Sequence, residues 1–140
     1  MTDGLRIANA MSTWFMVGVI WTVQLAVYPS FRDIDSGRFR AAMSRHQTRM
    51  GRIVILPMLA ELATTLLLLA RHSDSPIDWS GGLCVAVWGF ATVLIQIPRH
   101  RSLLAGGRSE SEVRRLVEWN WPRTVAWTVH GILCAIALAP

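Results

Sequence analysis

Four long apolar stretches, separated by polar and charged links, dominate the pattern of the chain. They cover roughly residues 7–28, 53–70, 79–98 and 121–138. Each approaches the length of about 17–25 residues that a helix needs to cross a hydrocarbon layer of roughly 30 Å. Strands would need many alternating segments closing into a barrel, which four continuous runs cannot supply. The pattern predicts an all-α, integral membrane four-helix bundle in up-down-up-down order, formed as a single domain over residues 1–140.

The first two links predict one long helix and one tight turn. Pro29 and residues 33–37 break the chain after the first stretch. Residues 38–50 then have a helix-forming composition, so we expect the second helix to extend beyond its apolar part into the cytoplasm. Residues 71–78 contain serines and a proline, which is typical of a short hairpin between antiparallel neighbours.

The third link predicts a break followed by a short helix. Gly106 and Gly107 form the break. Ser109 and Glu112 then match the Ser-x-x-Glu capping pattern, just before a charged run. We expect a short amphipathic helix here, lying on the membrane interface.

The composition excludes several classes of protein. Hydrophobic residues make up 52% of the 140 residues and charged residues only 16%. Soluble domains average about 25% charged residues, and disordered chains are more polar still. Cys84 and Cys134 are too few for a disulfide framework, and we expect both to be buried free thiols.

The arginines predict the orientation of the bundle. All 14 basic residues are arginine, and twelve of them lie in or beside the first and third links, with only Arg6 and Arg71 on the opposite side. Arginine-rich short loops stay in the cytoplasm, so we expect a multi-pass protein of the inner (plasma) membrane with both termini outside. The charge also fits anionic lipid headgroups at the cytoplasmic face, whereas a nucleic-acid partner is not expected.

Polar residues inside the spans are the candidates for chemistry. Glu61 and His130 fall near the bilayer centre, at a rise of about 1.5 Å per residue. An ionisable group there is costly, so Glu61 must face the bundle within reach of His130 or Arg123. Further polar residues fall toward the cytoplasmic side, namely Gln24, Gln96, Arg123, Asn120 and His100.

Aromatic residues suggest a cavity near these polar groups. Three tryptophans fall at mid-depth, where the aromatic belts at membrane surfaces do not need them. They are Trp21, Trp88 and Trp127. Tyr28 ends the first span at the inner interface, and Pro57, one turn before Glu61, would bend the second helix and open a pocket.

Structural interpretations compete with each of these signals. Glu61 with His130 or Arg123 would also serve as a strut between helices, and the tryptophans as simple packing. We expect His46 and His100 to be solvated surface residues, unless the long second helix carries His46 under the mouth of the pocket. No metal site and no cofactor are expected, because His130 has no second mid-membrane histidine beside it.

Three short motifs resemble a family of small four-helix bacterial membrane proteins that includes the anthrone oxygenases. The motifs are Tyr28-Pro29, Pro98-x-His100-x-x-Leu103 and Trp119-Asn120-x-x-Arg123-Thr124. The resemblance implies cofactor-independent oxidation of a flat, lipophilic phenolic or anthrone-like carbon acid inside the bundle.

The resemblance also implies roles for the polar residues. Glu61 or His130 would be the base, and Arg123 with Asn120 would hold the oxyanion. The substrate would contact Gln24, Gln96, Trp21, Trp88, Trp127 and Tyr28. The competing interpretation is a non-enzymatic accessory subunit, lipid-binding module or small carrier, either as a homo-oligomer or within a membrane complex.

Overall fold

The computed structural model describes residues 2–139, with side chains for residues 4–139. Every regular element in this part of the chain is helical, which confirms the predicted all-helical class. The α-helices are α1 (Thr2–Thr22), α2 (Tyr28–Ser30), α3 (Ser36–Arg71), α4 (Pro76–Phe90), α5 (Ile97–Gly106), α6 (Glu110–Glu118) and α7 (Trp121–Leu138). Two π-helical segments, Val23–Val27 and Ala91–Gln96, and a 3₁₀ turn, Phe31–Asp33, connect them.

The π-helical segments let two apolar helices continue through a proline. Pro29 and Pro98 each lack an N–H group and would clash with the carbonyl four residues earlier, at Leu25 and Leu94. Both carbonyls lie within the wider π-helical turns. The helical runs therefore extend over Gly4–Asp33 and Pro76–Gly106. Helix ends at residues 28 and 98 were predicted from the sequence, and these are wrong.

The second helix is long, as predicted. Helix α3 is continuous for 36 residues and contains Pro57 without interruption. It ends where the backbone N–H of His72 donates to the carbonyl of Leu68 at 2.8 Å. A short turn then leads to α4, which begins at Pro76.

The third link also has its predicted break and cap. Gly107 adopts a positive φ of 80°, which favours glycine. Ser109 accepts a hydrogen bond from the backbone N–H of Glu112 at 3.5 Å and begins α6. The apolar residues Val113 and Leu116 of α6 are buried in the protein's own core, so its apolar face packs on the bundle.

The four longest α-helices pack as a ring, because α1 contacts α3 and α7, and α4 contacts the same two helices. One core surrounds Met16, Trp88 and Trp127, and a second core surrounds Phe39 and Leu103 near α6. Three helical runs are long and apolar enough to cross a membrane, namely Gly4–Asp33, Ser36–Arg71 and Pro76–Gly106. Helix α7, which contains Arg123 and His130, is outside that set.

Candidate functional site

Buried polar side chains form two groups that meet at Trp127. The indole rings of Trp88 and Trp127 stack with their centroids 4.9 Å apart in the core. The first group surrounds Glu61 and His130, and we call it the Glu61 cluster. The second surrounds Gln24 and Arg123, and we call it the Arg123 cluster.

Glu61 joins α3 to α7 and has no exposed surface. Its Oε1 atom lies 2.7 Å from Nδ1 of His130. Its Oε2 atom accepts a hydrogen bond from the indole N–H of Trp127, also at 2.7 Å. Both carboxylate oxygens are therefore engaged, and the predicted contact between Glu61 and His130 is confirmed.

The space beside the Glu61 cluster is very small. A cavity of about 20 Å³ lies against His130, Asp78 and Cys134. The thiol of Cys134 donates to Asn9 Oδ1 at 3.2 Å, and the amide of Asn9 donates to Thr65 at 2.9 Å. A cavity of this volume holds about one water molecule and no organic substrate.

The other ring nitrogen of His130 is covered by the backbone of α4. A Cβ atom placed on Gly81 would lie only 3.0 Å from His130 Nε2. Glycine is the residue that allows this close approach of α4 and α7. His130 is thus held on both sides, by Glu61 and by Gly81.

The Arg123 cluster links the π-helical segment after α1 to the start of α7. The amide nitrogen of Asn120 donates to Gln24 Oε1 at 2.8 Å, and the hydroxyl of Thr124 donates to the same oxygen at 3.3 Å. Arg123 donates from Nη1 to Asn120 Oδ1 at 3.0 Å. Gln24 and Asn120 therefore hold Arg123 in place, and the side-chain oxygen of each accepts a hydrogen bond.

A cavity of about 400 Å³ lies next to this cluster, and we call it the inner cavity. Side chains from α1, α2, α3, α5, α7 and the π-helical segments line it. Its apolar wall is formed by Met16, Val19, Ile20, Val23, Met50, Val54 and Ile97. Its polar residues are Tyr28, His46, Gln47, Thr92, Gln96, His100, Arg101 and Arg123.

Arg123 presents an uncompensated charge to the inner cavity. No carboxylate lies within ion-pair distance of Arg123 among the described residues, and its Nε makes no hydrogen bond there. Its guanidinium lies 5.1 Å from the centroid of the Trp127 ring. Among the described residues, Gln96 Oε1 and Gln47 Nε2 are also buried without partners. The unpaired donors and the guanidinium call for an acceptor or an anion, whereas the oxygen of Gln96 calls for a donor.

Tyr28, His46 and His100 form an aromatic group at the polar end of the inner cavity. The Nδ1 atom of His100 lies 2.7 Å from the carbonyl of Gln96, which can only accept, so Nδ1 carries the proton. In the neutral ring, Nε2 then accepts from the hydroxyl of Tyr28 at 3.4 Å. The ring of His46 stacks on that of His100, with centroids 6.1 Å apart.

No family model, curated protein or solved structure matches this chain. Its chemistry is therefore interpreted from the geometry of the site. Among the described residues, no group of three or more His, Cys, Asp and Glu side chains could hold a metal ion. Cys84 and Cys134 are both free and buried.

The structure divides the site residues that the sequence suggested. Three of them line the inner cavity, namely Tyr28, Gln96 and Arg123. Gln24 and Asn120 lie behind Arg123 and position it. Glu61 and His130 lie outside the inner cavity, so the predicted single cavity bounded by all of these polar residues is not present.

The three tryptophans that suggested a cavity in the sequence, Trp21, Trp88 and Trp127, do not line the inner cavity. Trp88 and Trp127 stack on each other in the core. Trp21 is 36% exposed, packs edge-on against Trp121 and donates from Nε1 to Thr128 at 3.1 Å. Depth along a helix does not say which way a side chain faces, and Trp21 faces outward.

His46 and His100 were expected to be solvated, and that expectation is wrong. Both are partly buried, and both line the inner cavity. The continuous helix α3 carries His46 under the cavity, which was the alternative left open from the sequence. The continuation of the third run past Pro98 likewise places His100 there.

Proposed function

We propose that this chain is an integral protein of the inner (plasma) membrane. Its four long helices cross the bilayer in alternating directions. Arg6, near the start of α1, pairs with Asp78 at the start of α4 at 2.8 Å. Cys134, near the end of α7, contacts Asn9, near the start of α1. These contacts support an alternating order, in which α1 and α4 begin at the same end and α7 finishes there.

The outer surface of the bundle suits a bilayer. Many large apolar side chains point outward, and some are more than half exposed, including Leu25, Leu56, Leu83, Phe90 and Ile136. An apolar surface of this extent is not stable in water unless something covers it. Lipid acyl chains are the partner that the long apolar helical runs favour.

The arginine distribution makes the orientation testable. We expect a reporter that is active only outside the cytoplasm to work when fused after residue 140, and to fail when inserted at Gly107 in the arginine-rich third link. The matched control is the same reporter inserted between α3 and α4, at Asp74, where we expect activity. Activity at Gly107 but not at the C-terminus would mean that the bundle has the opposite orientation.

The inner cavity supports binding of a lipophilic molecule that carries an acidic oxygen. The observation that carries this proposal is Arg123, a buried cation at the wall of a 400 Å³ cavity, for which the described part of the chain supplies no carboxylate partner. An oxyanion at this wall would satisfy the free guanidinium donors in a site of low dielectric. The aliphatic wall would bury the rest of the molecule.

His46 is the group best placed to remove a proton from such a molecule. It lies ahead of the apolar run 53–70 and faces the inner cavity. A neutral imidazole has one ring nitrogen that can accept a proton, and among the described residues none donates a hydrogen bond to His46. The Glu61–His130 pair, with no access to this cavity, serves in the proposal as a strut.

Proton removal from a carbon acid would generate an enolate, which Arg123 would stabilise. Molecular oxygen is then the oxidant and accepts the electron pair of the enolate carbon. One oxygen atom ends in a new carbonyl group, and the other leaves as water with the two hydrogens of the original CH₂ group. A dihydroxyanthrone would become the corresponding quinone by this route, without a cofactor, in keeping with the resemblance to the anthrone oxygenases.

Turnover by a His46 variant tests the proposal. For the protein in lipid vesicles supplied with dihydroxyanthrone, we expect oxygen uptake and quinone formation by the wild type. His46→Gln should lower the turnover rate about 10²- to 10⁴-fold, because it removes the base, while ligand binding persists. His72→Gln is the matched control, since His72 lies outside the inner cavity.

The same experiment separates the two classes of function. Binding of dihydroxyanthrone without oxygen uptake in the wild type would favour a non-enzymatic lipid-binding module or carrier. Equal turnover by His46→Gln and the wild type would remove His46 as the base. Absence of binding would reject the proposed ligand class altogether.

A further inference from the structure

A second concavity lies on the outer face of the bundle, between α1 and α3. It has a volume of about 500 Å³, and we call it the α1–α3 groove. Phe15, Gly18 and Thr22 line it from α1, and Ile53 lines it from α3. Phe15 and Ile53 are about half exposed, and the groove faces the apolar outer surface rather than the core.

The α1–α3 groove and the inner cavity share a wall. Val19, Val23 and Met50 line both spaces. The barrier between the outer surface and the inner cavity is thus a single layer of side chains. Met50 is the unbranched member of that layer, and methionine changes rotamer more readily than a β-branched residue such as valine.

We infer that a lipophilic ligand reaches the inner cavity sideways from the bilayer, through the α1–α3 groove, when the side chain of Met50 swings aside. This inference rests on the proposed function for its ligand, an apolar body carrying one acidic oxygen. Such a molecule concentrates in lipid, where the α1–α3 groove presents apolar surface to it. Its oxygen would then meet Arg123 on the far side of the shared wall.

The alternative route is aqueous. Gln47 and Arg101 lie at the polar end of the inner cavity, where Arg101 is exposed. A water-soluble ligand would pass between them without crossing the apolar wall. A lipid-dissolved ligand would first have to leave the bilayer, at a cost of about 25 cal/mol for each Å² of apolar surface.

Two glycines allow a matched test of the sideways route. A Cβ atom on Gly18 would meet no other atom within 4 Å, and the same is true of Gly89 on α4. A phenylalanine at Gly18 would fill the α1–α3 groove without displacing the core. A phenylalanine at Gly89 adds the same bulk on another helix, away from the groove.

Photolabelling from the bilayer is the decisive experiment. Adamantyl diazirine, a small apolar probe, is dissolved in vesicles that contain the full-length protein, and mass spectrometry then measures labelling at Tyr28 and His100. We expect labelling in the wild type, in Gly89→Phe and in Gln47→Trp. We expect loss of labelling in Gly18→Phe and in a second groove variant, Thr22→Trp, with helical content unchanged by circular dichroism.

The outcomes separate the route from the function. Three outcomes would overturn the sideways route. Labelling could persist in both groove variants, it could disappear only in Gln47→Trp, or it could be absent in the wild type. Competition by excess dihydroxyanthrone tests the proposed ligand independently. If the groove variants block labelling but dihydroxyanthrone does not compete, the route stands and the proposed function fails.

Discussion

Replacing Arg123 by methionine is expected to weaken binding of an acidic lipophilic ligand strongly and to leave the bundle folded. Removing one partner of a buried, hydrogen-bonded charge pair costs about 2–5 kcal/mol of binding, which is roughly 30- to 4,000-fold in affinity. Arg123 has no carboxylate partner among the described residues, so methionine removes a charge whose burial is costly, which offsets the loss of the hydrogen bond to Asn120 Oδ1. Equilibrium binding of dihydroxyanthrone and thermal unfolding followed by circular dichroism measure the two effects.

Arg101→Gln is the matched control for Arg123→Met. Arg101 lines the same cavity but is exposed, so its interaction with a bound anion is screened by water. We expect its loss to change affinity only slightly. If Arg123→Met instead lowers the unfolding temperature and leaves affinity unchanged, Arg123 is a structural residue that holds Asn120 and Gln24 in place.

Replacing Glu61 by leucine is expected to cause the largest loss of stability in the protein. Glu61 is fully buried, and its two oxygens accept from His130 and Trp127. Leucine would leave two buried donors without an acceptor, and breaking a buried pair in this way costs about 3–5 kcal/mol. The free energy of unfolding in detergent, measured by denaturant titration, tests this expectation.

Glu61→Gln distinguishes a strut from a base. The glutamine carbonyl can accept from Trp127 while its amide donates to the other tautomer of His130, so we expect the fold to survive. Because Glu61 does not reach the inner cavity, turnover should survive as well. Loss of turnover in a folded Glu61→Gln variant would mean that Glu61 is the base, as the sequence suggested.

The sequence predicted three local features of the helices correctly, because each depends on the chemistry of neighbouring residues. The length of α3, the glycine break at Gly107 and the cap at Ser109 all follow from neighbours within one or two helical turns. The contact between Glu61 and His130 was also predictable. Both residues fall near the middle of an apolar run, where a charge is expected to face the interior of the bundle.

The π-helical turns are the main feature that the sequence did not reveal. Each one inserts extra backbone before a proline and rotates the helix that follows it. Residues after Val23 and Ala91 therefore do not lie on the helix faces that a regular 3.6 residues per turn would assign to them. At 3.6 residues per turn, Trp21, Gln24 and Tyr28 would share one helix face, yet Gln24 and Tyr28 are buried and Trp21 faces outward.

The sequence by itself determined the apolar runs, the arginine asymmetry and the position of each polar residue along its run. These follow from composition and from a fixed rise along each helix. Only the tertiary structure decided which polar residues share a space. In the folded protein Glu61 contacts His130 and Trp127. Arg123, His46 and His100 line the inner cavity instead. The physical reason is that packing between distant segments sets the rotation of each helix and its approach to its neighbours. The residues within one helical turn do not determine this packing.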